Sequence, residues 1–313
     1  MLRQLLINAI ILATLTTYLV PVGNASAQSA PSDPDWNVTE VTVEKSLPGP
    51  ALWKITKEDK VLWVLGVMPM QRTHWDMSRV KRLLDGAETL YLPPLSEGTI
   101  SLSSTRLPEG QMLRDVISEK TYIRYRATAR TFNIETKEDE QYQPFWAGQK
   151  MFQRIRLYNG ISLNAVTEQV VDAAKARKVK VRRIALYDSS DTLAESTTFT
   201  TEQGEACLNY TLDSIDHLVP NRKRDAAAWA RGDVDTLRAR LAAAPKVTCG
   251  NNQSVRGNKA RSDTLRAIEQ ALSGPRRNVM ISSLSVLLMD DQLMHELSAL
   301  GYKVIAPRSK PAP

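Results

Sequence analysis

The chain has 313 residues, of which 42% are hydrophobic and 24% are charged, and these proportions are typical of a globular protein. They exclude a disordered, collagen-like or coiled-coil chain. The net charge of +7 is mild for this length and does not indicate a dedicated nucleic-acid-binding protein. Two cysteines cannot build a disulfide scaffold or a four-cysteine zinc site, and three histidines leave few choices for a histidine metal centre.

The first 27 residues have the three-part layout of a secretory signal peptide. A short basic start at Arg3 precedes a largely apolar run from Leu5 to Val22, and the small residues Ala25–Ala27 follow. We therefore expect cleavage after Ala27 and an exported protein, periplasmic or secreted, with no transmembrane anchor after cleavage. An uncleaved membrane anchor is the alternative, although the run is short for a span and interrupted by polar residues.

Export would allow the two cysteines to form a disulfide. Cys207 and Cys249 are the only pair in the chain, and an exported protein meets an oxidising compartment. A disulfide between them would close a loop of about 43 residues, worth roughly 4 kcal/mol if it acts through chain entropy. The alternative is two unrelated free thiols.

Downstream of the leader, the pattern predicts a β-hairpin and then a β-α-β unit. Ala51–Ile55 and the apolar run Val61–Val67 predict two strands. Apolar residues at helical spacing then predict a helix over Met77–Leu84, and Gly86 suits the position just past it. Thr89–Leu92 predicts the next strand, so the second and third strands form a parallel pair with a right-handed crossover.

Helices dominate the middle of the chain. Residues 110–158 predict helices, and one apolar face over Leu163–Ala174 predicts another. Lys178–Leu186 predicts a strand, and residues 196–245 are helical again. The predicted disulfide would join the two ends of this second helical block.

The C-terminal part alternates helix and strand. Residues 259–272 predict a helix, Asn278–Ser283 a strand, Asp290–Leu300 a helix and Tyr302–Ala306 a last strand. The fold class predicted is therefore α/β (α+β), with a mixed, partly parallel sheet flanked by helices. We expect a single domain over residues 28–313 with a helical insertion at about 196–250.

Ligands in parallel sheets bind where the strands end, and this chain places few reactive side chains there. The three strand ends carry Gly66–Pro69, Pro93–Pro94 and Ser282–Ser285. Proline has no acid, base or ligand atom in its side chain. Serine needs a base to become a nucleophile, and no histidine is near these serines in the sequence.

In the order of its motifs, the chain resembles the TraB/GumN family, which includes the Tiki-type metalloproteases. The resemblance covers most of the mature chain, and the order of five segments carries it rather than any single one. The five segments are Pro50–Ile55, Leu62–Met68, Gln143–Trp146, Ala228–Leu237 and Ala299–Val304.

The family pattern places a Gly-x-x-His motif at the end of one strand and a Glu at the end of the next. In the first motif Gly66 is kept, but Pro69 stands at the histidine position. Pro93 stands at the glutamate position. Two family ligands are therefore replaced by proline.

The second half of the pattern is replaced in the same way. A Glu that ends the strand after the middle helix corresponds to Tyr187, and a second Gly-x-x-His motif corresponds to Ser282 and Ser285. An Arg in the preceding helix corresponds to Arg261. By this resemblance the site keeps Gly66 and Arg261 and has lost its histidines and glutamates.

Tiki-type members of the family are thought to bind a divalent metal through those histidines and glutamates, and a metal needs several N, O or S ligands at close range. The resemblance therefore implies the fold and argues against the family's chemistry. We expect no catalytic residues, metal or cofactor, and a pseudoenzyme with a binding or accessory role in the cell envelope. One alternative is a metal-dependent hydrolase or peptidase with a rebuilt site. Another is an envelope adaptor that binds an anionic polymer or a partner protein, but not nucleic acid.

Three histidines and one basic run were considered for these alternatives. His74 could serve a rebuilt site, and His295 with the neighbouring aspartates could suggest a metal. The local sequence favours a structural explanation for each, as a loop or helix residue near a helix start. His217 is interpreted as a solvated helix residue. The run Lys175–Arg183 holds six Lys or Arg among nine residues, which could contact an anionic surface or suit a helix end.

Overall fold

The computed structural model describes residues 49–98, 101–246, 255–274 and 277–307. The predicted signal peptide and Cys249 lie outside the described residues. Cys207 is buried, and its pairing with Cys249 stays a prediction. In the part of the chain that the structure describes, none of the helices combines the length and the apolar character needed to span a membrane.

Six strands form one mixed sheet in the order β10-β1-β2-β9-β4-β7. The predicted hairpin is confirmed, because β1 and β2 pair antiparallel with Leu52 opposite Leu65. β2, β9, β4 and β7 run parallel to one another. The ten strands are β1 Leu52–Lys57, β2 Lys60–Val67, β3 Met70–Gln71, β4 Thr89–Leu92, β5 Leu95–Glu97, β6 Ile161–Ser162, β7 Lys180–Arg183, β8 Leu186–Asp188, β9 Asn278–Ser283 and β10 Lys303–Ile305.

Helices cover the sheet and build a separate layer. Gly86 and Gly301 follow their helices with φ values of +78° and +80°, as glycine allows past a helix end. The eleven α-helices of the described residues are α1 Ser78–Leu84, α2 Leu113–Val116, α3 Glu119–Thr131, α4 Pro144–Tyr158, α5 Ala165–Ala176, α6 Ser189–Thr197, α7 Thr201–Ala230, α8 Val234–Ala242, α9 Val255–Ser273, α10 Leu284–Met289 and α11 Asp291–Ala299.

The predicted β-α-β unit is correct in direction but wrong in adjacency. β2 and β4 are parallel and joined through α1, yet β9 lies between them and pairs with both. The reason lies in β9 itself, whose first five residues are all buried. A strand that is buried on both faces belongs in the centre of a sheet, so β9 takes that place.

The predicted strand over Lys178–Leu186 is divided in two. β7 pairs with β4, and β8 pairs with β5 in a separate two-stranded sheet. The register is unbroken, because Leu92 faces Arg183 and Leu95 faces Leu186. Proline has no N–H to donate to a ladder, so Pro93 and Pro94 interrupt the hydrogen bonding without changing the register of the two paired segments.

Two apolar cores result. The main core lies around the sheet, and the second lies among α2, α3, α4 and the first half of α7. α4 and α7 pack closely at Gly148, where an added Cβ would lie 3.1 Å from Leu208 Cδ1. The helical block predicted at residues 196–245 is found as α6, α7 and α8, and α7 joins both cores.

Candidate functional site

The parallel strands end side by side at one edge of the sheet, here called the carboxyl edge, formed by the ends of β2, β9, β4 and β7. Gly66 on β2 is the register partner of Ser282 on β9. Tyr91 pairs with Met280 on the other side of β9, so Pro93, two residues later, reaches the level of Ser282. The edge thus brings together three positions that the resemblance assigned to the family's site.

Gly66 is enclosed by apolar side chains and its carbonyl is already used. A Cβ at this position would lie 2.8 Å from Leu284 Cδ1 and 3.1 Å from a ring carbon of Trp53. Trp229 Nε1 donates a 2.7 Å hydrogen bond to the Gly66 carbonyl. Close packing alone therefore explains why glycine stands here.

A tryptophan pair extends from that carbonyl toward the surface. The rings of Trp229 and Trp75 meet edge to face with centroids 5.2 Å apart. Trp75 Nε1 in turn donates to Gln169 Oε1 at 2.8 Å. No local sequence pattern points to this pair; the one available signal is that Trp229 lies in a segment that resembles the family, Ala228–Leu237.

The residues at the family's two histidine positions differ in exposure from those at its two glycine positions. Pro69 and Ser285 are exposed, whereas Gly66 and Ser282 are buried. The Ser285 hydroxyl lies 2.8 Å from the Ser283 hydroxyl. The polar side chains at the end of β9 are thus neutral hydroxyls at the start of α10.

Tyr187 does not end a strand of the main sheet, which corrects its predicted position. It lies inside β8, opposite Ser96, because the β4–β7 register continues past the prolines. Its hydroxyl donates to Asp263 Oδ2 at 2.8 Å, and Lys259 Nζ lies 5.4 Å from its ring centre. Tyr187 therefore attaches the β5–β8 ribbon to α9.

Arg261 links α9 to the start of α11. Its Nε lies 3.6 Å from Asp290 Oδ2, and Asp290 Oδ1 accepts a hydrogen bond from the backbone N–H of Leu293 at 3.0 Å. The Arg261 Nε is buried and makes no hydrogen bond with the residues that the structure describes. This ion pair joins α9, which precedes the position of the second Gly-x-x-His motif, to the start of α11, which follows it.

An open cleft of about 470 Å³ lies between the segment before α1, the first turns of α1 and Gln169 of α5. His74 is exposed there, and Asp76 Oδ1 accepts from the Ser78 backbone N–H at 2.8 Å. Hydrogen bonds from Ser78 hold the pKa of Asp76 below its usual value. The lining residues are Thr73, His74, Trp75, Asp76, Met77, Ser78, Lys81 and Gln169.

The three histidines lie on different elements. His74 precedes α1, and His295 is exposed on α11. The interpretation of His217 as a solvated residue is wrong, because it is half-buried on α7 and its Nδ1 lies 2.6 Å from a guanidinium nitrogen of Arg240. Over the described ranges, no three His, Cys, Asp or Glu side chains form a group that could hold a metal ion.

The donor set at the carboxyl edge does not fit the divalent metal of Tiki-type proteins. Pro69 and Pro93 carry no ligand atom, and the Tyr187 hydroxyl is bound to Asp263. Zinc and other transition metals are bound in proteins mainly by imidazole, thiolate and carboxylate groups. The side chains at these positions instead support packing and hydrogen bonding between elements.

Comparison with known proteins gives one match. The sequence model of the TraB/PrgY/gumN family matches residues 51–306, which span the main sheet from β1 to β10 and all eleven α-helices described. No curated protein and no solved structure matches the chain. The family match covers well over half of the sequence, and the chain therefore belongs to the TraB/PrgY/gumN family.

Proposed function

We propose that this chain is an exported, non-catalytic member of its family that binds a ligand at the carboxyl edge and has an accessory role in the cell envelope. The observation that carries the proposal is the pairing of Gly66 with Ser282 on adjacent parallel strands. It supports the assignment of Pro69 and Ser285 to the two histidine positions, since each follows its paired residue by three positions.

The chemistry of the replaced positions supports a binding role. Proline supplies no proton donor, acceptor or ligand atom, and a serine hydroxyl needs a neighbouring base before it can attack a substrate. Ser285 contacts another hydroxyl, that of Ser283. Arg183 fixes the loop after β4 by donating to the Pro93 carbonyl at 2.8 Å.

We expect the ligand to bind in the cleft formed by the segment before α1, α1 and Gln169. Its side chains offer an imidazole, an ammonium and hydroxyls for hydrogen bonds, and Trp75 forms its inner wall with 7% of its surface exposed. Such a lining suits a small polar molecule held by several hydrogen bonds. Export is supported by the signal-peptide pattern that ends at Ala27.

A metal-dependent hydrolase with a rebuilt site is the second candidate. The observation that favours it is the presence of His74 and Asp76 in the same cleft. Two ligands from one loop would need at least one more donor to bind a metal firmly.

Metal content separates the two candidates. The mature protein, purified without a histidine tag, is dialysed against trace zinc, manganese and cobalt and then measured by mass spectrometry. We expect far less than one metal ion per chain. A near-stoichiometric metal that disappears in His74→Ala would overturn the non-catalytic proposal.

Ligand binding is tested by thermal shift with a collection of small sugars, amino acids and carboxylates. A compound that binds in the cleft raises the melting temperature of the wild-type protein, and we expect that rise to be lost in His74→Ala and in Lys81→Gln. The matched controls are His295→Ala and Lys120→Gln, which remove the same exposed side chains elsewhere. A rise that all four variants retain would exclude the cleft as its source.

A further inference from the structure

The opposite end of the parallel strands carries exposed basic side chains. β7, β4 and β9 begin level with one another, because Thr89 pairs with both Lys180 and Asn278. The loops and helix ends that lead into these strands meet at this side of the sheet. Here and along β7 lie five exposed bases that we call the basic edge: Lys175, Lys178, Lys180, Arg182 and Arg277.

Two other bases of the run Lys175–Arg183 have partners within the fold, unlike the bases of the basic edge. Arg177 is engaged by Asp85 at 2.7 Å, and Arg183 donates to the Pro93 carbonyl at 2.8 Å. By contrast, no ion pair within the described ranges involves a side chain of the basic edge. Two acids nearby, Glu88 and Asp172, are also exposed, so bases outnumber acids at this surface.

A helix dipole accounts for only part of the set. Lys175 lies in the last turn of α5, where a cation is favoured by the carbonyl end of the helix. Lys180 and Arg182 lie beyond that reach on β7. They are two residues apart on one strand, so their side chains leave the same face about 6.6 Å apart.

The position of β7 leaves this row accessible. β7 is the outermost strand of the main sheet on its side, and its only strand partner among the described residues is β4. Lys180 and Arg182 are exposed, whereas Val181 between them is half-buried. Unpaired bases along an outer strand form a line of point charges rather than a pocket.

We propose that the basic edge binds a linear polyanion, a polymer that carries phosphate or carboxylate groups in a close repeat. Several point charges along a line match such a polymer by charge, and this kind of binding weakens steeply with salt. A lipid surface is less favoured, because surface binding to membranes adds exposed apolar side chains. Within residues 175–183 no large apolar side chain is exposed, and the next exposed one along the chain is Leu186 on β8.

The test measures the dissociation constants of fluorescently labelled inorganic polyphosphate and polyglutamate by anisotropy at several salt concentrations. In the variant K178Q/K180Q/R182Q we expect at least about a tenfold weaker binding and a shallower dependence on salt, because three ionic contacts are lost. The control K120Q/R130Q/K137Q removes the same charge from exposed bases elsewhere and should change binding less than about twofold. Binding of only one polymer would support the proposal and identify the anionic group.

Three results would overturn it. One is no binding of either polymer to the wild-type protein at about 0.15 M salt, where surface charges are still felt over about 8 Å. Another is an equal loss in both triple variants, which would assign the effect to net charge alone. The third is binding to phosphatidylglycerol vesicles without binding to either polymer. The double variant K175Q/R277Q, outside β7, repeats the test if the triple variant has a lowered melting temperature.

Discussion

The carboxyl edge and the helices α2, α3, α4, α7 and α8, here called the helical layer, use polar groups in opposite ways. At the edge, backbone carbonyls accept the polar contacts, from the Trp229 indole at Gly66 and from the Arg183 guanidinium at Pro93. In the helical layer, charged groups are buried: Asp139 is fully buried and lies 2.6 Å from a nitrogen of Arg154. Among the described residues, the buried charged side chains therefore lie in the helical layer and not at the edge that the resemblance assigns to the family's site.

Shifted pKa values follow the same division. Burial raises the pKa of Asp139 and that of Asp225, and each carboxylate has a basic partner that opposes the shift. Buried carboxylates of this kind often mark active sites. Here they join helices, with Asp139 linking the loop after α3 to α4 and Asp225 linking α7 to α8. A buried charged group therefore indicates an active site only when its partners do not already explain it as a structural contact.

The strongest test of the comparison removes a buried cation. Arg240→Met leaves the Asp225 carboxylate, 2% exposed, without the guanidinium whose Nε lies 3.3 Å away. An uncompensated buried charge costs about 3 kcal/mol or more, and urea unfolding measures the loss. Arg238→Met, an exposed arginine on the same helix, should cost less than about 1 kcal/mol. Equal losses would show that the pair does not stabilise the helical layer.

At the carboxyl edge, the corresponding test is steric. Gly66→Ala places a Cβ 2.8 Å from Leu284 Cδ1, which is the end of a flexible side chain. We expect the free energy of unfolding to fall by about 1–2 kcal/mol through overpacking. Gly274→Ala is the control, because no atom lies within 4 Å of its added Cβ. No loss at Gly66 would contradict the close packing described there.

A smaller effect is expected where the β5–β8 ribbon meets α9. Tyr187→Phe removes the hydroxyl that donates to Asp263, while Asp263 keeps its contact with Arg266 at 3.0 Å. We expect a loss of about 1 kcal/mol in unfolding free energy, the usual contribution of such a hydrogen bond. Tyr158→Phe, 79% exposed, should leave stability unchanged. A similar loss in both variants would remove the role given to this bond.

The smallest effect is a change in pH dependence. Burial and the neighbouring Arg240 lower the pKa of His217 below 6.5. Its contribution to stability is therefore complete above the unfolded pKa of about 6.5 and is lost as the pH falls through the folded pKa. The raised pKa of Asp225 acts in the opposite direction at lower pH. We expect wild-type protein to lose stability between pH 7.5 and 5.5 and His217→Gln to lose less. His295→Gln should behave as wild type; a reduced loss there instead would assign the effect to the wrong histidine.

Element types were predictable where local patterns are strong. β2 is an apolar run and α1 has helical spacing, and both were found near their predicted bounds. The neighbours of a strand were not predictable in this way. β9 separates β2 from β4, and its contact with β4 joins Asn278 to Thr89, 189 residues apart. Periodicity reports the face that a segment buries, but it carries no information about a partner so distant.

The candidate site was predictable as far as the resemblance reached. The strand register places Gly66, Pro93 and Ser282 at one level of the sheet, and their assignment to the family's site stays a prediction. Tyr187 was misplaced because two prolines interrupt a ladder without ending it. Its partner Asp263 lies 76 residues away, and no spacing rule connects the two.

The long helix α7 has a consequence for cooperativity. Residues up to Val219 pack in the second core, and the end of the helix packs in the main core through Trp229. Pro220 lies between these two parts, where one intrahelical hydrogen bond is missing. Because each core buries apolar surface on this one helix of about 45 Å, the loss of either core leaves part of α7 without its packing. The two cores should therefore unfold together, as one unit rather than two.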